Sequence, residues 1–217
     1  MKSITRIGRL SAVFRGGESE LLNGIARLSI FYEDLQLEMR EFRDLYRRVM
    51  EEHEDGLDYR LLYFLRRALA TLVEFRGALT RVTQTDEFKR ADLTEMDIRF
   101  IGNADRFLQQ NWTTIKGLRN EFAGHIQGPS VEFATKNLTD QVGGVTWRPD
   151  HTGWQTGIEC EFAGIILTGV ISSKLQSGGD VKTEFSKAFA VISEGFNLAR
   201  FAMVALVHAF LWNRFGR

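Results

Sequence analysis

Apolar residues recur along three long segments in alternating steps of four and three. Leu21, Ile25, Leu28, Tyr32, Leu35, Met39, Phe42, Tyr46 and Val49 form the first stripe. Leu61, Leu65, Ala68, Leu72, Phe75, Leu79 and Val82 form the second, and Phe185, Phe189, Ile192, Phe196, Ala199, Met203, Leu206 and Phe210 the last. Such spacing lines one face of an α-helix and cannot line a strand, whose faces alternate every second residue. Helices this long, each apolar on one side, bury those sides against one another at shallow angles. The sequence therefore predicts an all-α fold, a helical bundle of about five or six helices.

A less regular segment separates the second and last stripes. Thr94 with Asp97, and Asp92 with Glu95, read as helix-start signals. Ile101, Ala104, Leu108, Ile115, Leu118 and Phe122 follow at helical spacing, with a weak point or break expected between Asn111 and Thr114. From Gln127 to Gly157 the texture changes, with both prolines (Pro129 and Pro149) and several glycines. A short helix from about Ser130 to Leu138, capped by Ser130, and a loop or small hairpin insertion near residues 139–157 account for it. A further helix is expected from about Ile158 to Leu175. Ser177-Gly178-Gly179 is read as a turn, with Asp180 capping the last helix. The early helices need the C-terminal ones to close a core, so residues 1–217 read as one domain.

Composition narrows function mostly by exclusion. The 28 basic and 28 acidic side chains cancel, which removes any bulk electrostatic case for nucleic acid or membrane. The single cysteine, Cys160, cannot form an intramolecular disulfide, and flanking Glu159 and Glu161 argue against a reactive thiolate. No apolar run near Met1 suits a signal peptide, and the runs Phe162–Ile171 and Phe201–Trp212 are shorter than the ~18–20 residues of a membrane span. A cytoplasmic, non-membrane protein is expected. Glu51-Glu52-His53-Glu54-Asp55 has metal-binding residue types without a metal-site spacing, so no metal and no cofactor is expected. Arg47-Arg48, Arg66-Arg67 and Lys89-Arg90 read as solvated helix faces, because acids interleave with them. Trp147, His151 and Trp154 read as a loop folded on the core, and His208 as a core histidine.

One stretch is not explained by packing: Arg119-Asn120-Glu121-Phe122-Ala123-Gly124-His125. A permanent cation with a forked donor set suits a phosphate, an imidazole exchanges protons near neutral pH, and an amide both donates and accepts. Cleavage of a phosphodiester needs those abilities together. On an unbroken helix residues six apart stand about 120° apart around the axis, so Arg119 and His125 would diverge. Gly124 offers a left-handed helix end that frees His125 to swing towards Arg119.

On Arg119, Asn120 and His125 the chain resembles the HEPN superfamily, whose members carry an Arg-x(4–6)-His motif within an all-helical bundle, often with a polar residue after the Arg. The resemblance covers about residues 18–140. It implies a metal-independent endoribonuclease, of the kind found in toxin–antitoxin and phage-defence systems. Arg119 would hold the scissile phosphate, and Asn120 would orient the Arg or the substrate. His125 would act as general acid or base while the 2′-hydroxyl attacks, leaving a 2′,3′-cyclic phosphate. It also implies a homodimer, an RNA substrate and an antitoxin or other protein partner. Some toxin members carry a modified Tyr two residues after the His; Gln127 stands there in this chain. The superfamily includes non-catalytic modules that bind RNA, nucleotide or a protein, which is the alternative reading. A helical interaction protein without a small ligand is the third.

Overall fold

The computed structural model describes residues 19–51, 59–120, 132, 135–136, 145–149, 156–160 and 181–212. Among them are six helices: α1 (Glu20–Glu51), α2 (Tyr59–Gln84), α3 (Asp86–Lys89), α4 (Glu95–Gln110), α5 (Trp112–Leu118) and α6 (Val181–Leu206), the last continued by a π-helical turn, Val207–Leu211. The fold is the expected all-α bundle. Strands β1 (Val145–Pro149) and β2 (Thr156–Cys160) pair antiparallel, Val145 opposite Cys160 and Pro149 opposite Thr156. The expected hairpin is therefore present, shifted a few residues towards the C-terminus. The helix expected from Ile158 is corrected at its start, because Ile158, Glu159 and Cys160 are strand; residues 161–175 lie outside the described residues. Of the short helix expected at 130–138, Glu132, Thr135 and Lys136 are described and helical, with Lys136 Nζ 2.6 Å from Glu132 Oε1. Ser130 and Asp180, its proposed cap and that of α6, lie outside the described residues.

Four long helices form the bundle. Glu38 of α1 meets Thr71 of α2 while Gly24 meets Val82, so α1 and α2 run antiparallel. Ring stacking of Tyr32 on Phe196 and of Phe42 on Phe189 fixes α6 antiparallel to α1. Phe100 on Phe201, with Asp97 near His208, sets α4 antiparallel to α6. Every residue of the α2 stripe is buried, as are Ile101, Ala104, Leu108, Ile115 and Leu118. The close approach of α1 and α2 depends on glycine: a Cβ at Gly24 would lie 2.5 Å from Val82 Cγ2. Gly195 serves α6 against α2 in the same way, where a Cβ would meet Leu72 Cδ2 at 2.9 Å.

Two predicted core positions are corrected. Tyr46 is 44% exposed, and Leu45 fills the core in its place. The strict four–three alternation drifts against the helix period over so many turns, which moves the buried face by one residue. Tyr46 instead stacks over Phe42 and Phe189 at the bundle surface. His208, expected in the core, has a side chain 63% exposed. It lies in the π-helical turn, closed by the Trp212 N–H donating to the Val207 carbonyl at 2.7 Å, on the same helix side as the exposed Phe201 and Val204.

The apolar run at the C-terminus also proves longer as a helix than as a sequence string. Ser186–Leu211 is one continuous 26-residue helical stretch with a window of mean hydropathy 1.5, long and apolar enough to cross a membrane, and 39% of that window is buried in the bundle. Its buried face is formed by Ala188, Ile192, Ala199, Ala202, Met203, Ala205 and Leu206.

Candidate functional site

The helix pair α4–α5 carries the start of the candidate motif. Thr94 caps α4 with a reciprocal box. Its Oγ1 accepts from the Asp97 backbone N–H (3.2 Å) and donates to Asp97 Oδ2 (2.6 Å), while Asp97 Oδ2 also accepts from the Thr94 N–H (3.3 Å). Of the two helix-start signals, Thr94–Asp97 is the one used. The helix then breaks where a weak point was expected. Asn111 folds its side-chain amide back onto the Phe107 carbonyl (3.0 Å), and its backbone N–H reaches the same oxygen (2.9 Å). An amide competing locally for backbone acceptors ends a helix in this way. The motif therefore follows a short helix after a break, not a long bundle helix.

Two contacts hold α5 in place. Ile115 and Leu118 are buried, and the Arg76 guanidinium of α2 sits 3.8 Å over the Trp112 ring, a cation–π contact at close range. With Ile115 and Leu118 inward, Lys116, Arg119 and Asn120 are left exposed. Arg119 Nη1 donates to Asn120 Oδ1 at 3.3 Å. Among the described residues Arg119 has no carboxylate partner, which leaves most of its five donors for an anion. Lys116, one turn earlier, is a further exposed cation that the motif reading passed over; its spacing of three from Arg119 was the available signal. His125, Gly124 and Gln127 lie outside the described residues, as do His151 and Trp154. Trp147 is in β1, opposite Ile158.

In each of the other basic clusters a described residue lies near an acid. Arg47 lies 3.8 Å from Asp44, Arg67 3.4 Å from Glu38, and Lys89 and Arg90 lie 4.0 and 3.9 Å from Asp86. Arg66 differs, with its Nε buried and without a hydrogen-bond partner among the described residues. His53, Glu54 and Asp55 lie outside the described residues, among which no group of three metal-ligating side chains occurs.

Glu38 was also missed. Its spacing of three from Leu35 and four to Phe42 places it within the α1 stripe, and it is buried between α1 and α2. Oε1 accepts from the Thr71 hydroxyl at 3.0 Å and faces Arg67 Nε at 3.4 Å; Oε2 is buried without a hydrogen-bond partner. Burial pushes its pKa from 4.5 up to about 7, against the opposing pull of Thr71 and Arg67. No protein-family model, curated relative or solved structure matches this chain.

Proposed function

We propose that the chain is a HEPN-like, metal-independent endoribonuclease acting through Arg119, Asn120 and His125, as a toxin or phage-defence component. The observation that supports it is the state of Arg119: an exposed guanidinium in π-helical backbone directly after α5, hydrogen-bonded to Asn120 and without a carboxylate partner among the described residues. An exposed guanidinium without a carboxylate partner among the described residues keeps donors available for an anion such as phosphate. In this reading Arg119 clamps the scissile phosphate and offsets charge developing on it, and Asn120 fixes the guanidinium plane. His125 moves the proton as the 2′-hydroxyl attacks phosphorus and the 5′-oxygen leaves. Lys116 extends the grip along the backbone.

Mixed RNA incubated in EDTA with wild type, Arg119→Ala and His125→Ala tests the reading. Wild type alone should cleave, leaving 2′,3′-cyclic phosphate ends, while all three give the same helical circular dichroism. Intact RNA with wild type, or equal cleavage by all three proteins, rejects it. Intact RNA that is nevertheless bound, with affinity lost in Arg119→Ala, identifies the non-catalytic module instead.

A further inference from the structure

We propose that a groove between α1 and the C-terminal end of α6 binds a hydrophobic organic ammonium ion, by its aromatic and apolar walls and the exposed Glu33 carboxylate that lines it. This site uses none of the residues assigned to RNA cleavage. The groove has a volume of about 420 Å³, within the usual range for small-molecule sites. Tyr32 and Trp212 supply aromatic walls, and Met203, Val204 and Val207 the apolar floor. Glu33 and His208 are the groups at its edge that set polarity.

Charge decides the class of ligand. Glu33 is exposed and has no cationic partner among the described residues. His208 Nδ1 stands 3.9 Å from Asp97 Oδ1, whose side chain is nearly buried and already bound by Thr94. Two carboxylates therefore face this end of the bundle. The cation felt at Tyr32 is Arg200, and its guanidinium lies over the Phe201 ring at 4.9 Å. Aromatic faces beside an exposed carboxylate favour an organic cation, through ring quadrupole and ion pairing together.

The backbone makes the same end unusual. The π-helical turn Val207–Leu211 contributes Val207 and His208 to the groove, with Trp212 immediately after it. Such turns replace the i→i+4 hydrogen-bond pattern with an i→i+5 one and are frequent at functional sites. His208 lines the groove with its side chain 63% exposed. Val204, 58% exposed, leaves the floor open to solvent.

Titration with phenethylammonium, its neutral counterpart 2-phenylethanol and the anion phenylacetate, followed by protein-observed NMR of the Trp indole signals, tests the proposal. Trp212→Phe assigns the reporting resonance. The ammonium should bind about five- to tenfold more tightly than the alcohol, and phenylacetate more weakly than either. Glu33→Gln should remove most of that preference while leaving alcohol binding unchanged. Val204→Lys, at an exposed position, should weaken the ammonium by placing a cation on the floor. Equal affinity for the three ligands, an unchanged preference in Glu33→Gln, or no perturbation of the Trp212 resonance at millimolar ligand would overturn it.

Discussion

Glu38 offers a prediction whose size follows from its surroundings. In the unfolded chain its carboxyl ionises near 4.5, whereas burial between α1 and α2 holds the folded-state value at about 7. Between those values the folded protein keeps a proton that the unfolded chain has lost. The direction follows: a pKa raised by folding contributes stability that is fully present below pH 4.5 and lost as pH rises through about 7. At roughly 1.4 kcal/mol per pH unit, that interval is worth about 3 kcal/mol. Glu38→Gln removes the titration while keeping an acceptor for the Thr71 hydroxyl. Urea unfolding followed by circular dichroism, from pH 4.5 to pH 8, should show the variant gaining about 3 kcal/mol on wild type across the range. The gain should level off above pH 7.5 or so, once wild-type Glu38 is ionised in both states. Parallel pH profiles for the two proteins would refute the reasoning, because they would mean that the α1–α2 seam gives the carboxylate as much solvation as water does.

Gly24→Ala should destabilise by about 1–3 kcal/mol, because the added methyl meets Val82 Cγ2 at 2.5 Å; Gly24→Ala combined with Val82→Ala should recover part of the loss in a thermal-melt cycle. Thr94→Ala should cost about 1 kcal/mol and Thr94→Ser a few tenths, since only the hydroxyl completes the box with Asp97; chemical denaturation of both variants checks it. Arg119→Lys should lose most RNA cleavage despite keeping the charge, because a point cation cannot reproduce a forked grip on phosphate; cleavage rates at saturating RNA within twofold of wild type would contradict the assignment. Trp112→Leu should loosen α5 by removing the ring under Arg76, a loss of about 1–2 kcal/mol, seen as faster amide exchange at Ile115 and Leu118.

How far the sequence reached depended on whether a feature was local. The α2 stripe, the Thr94–Asp97 box and the break at Asn111 are short-range: each rests on residues within a few turns, and each stands in the structure as read. The candidate site was legible for the same reason. Arg119 and Asn120 stand out because neither fits the stripe that buries Ile115 and Leu118, whereas Lys116 passed unnoticed as an ordinary surface lysine.

By itself, then, the sequence determined the helices, their apolar faces and the motif that departs from them, because helical periodicity is written residue by residue. Only the tertiary structure decided what the partner helices do with those faces. It exchanged Tyr46 for Leu45, through the slow drift of a four–three repeat around α1. It set His208 at the surface, on the helix side that Phe201 and Val204 also leave exposed. It buried Glu38 against α2, where Thr71 and Arg67 come from a different helix, distant in the chain. And it set Arg47, Arg67, Lys89 and Arg90 beside acids while giving Arg119 no carboxylate partner among the described residues, which rests on which side chains meet across helices and along their faces.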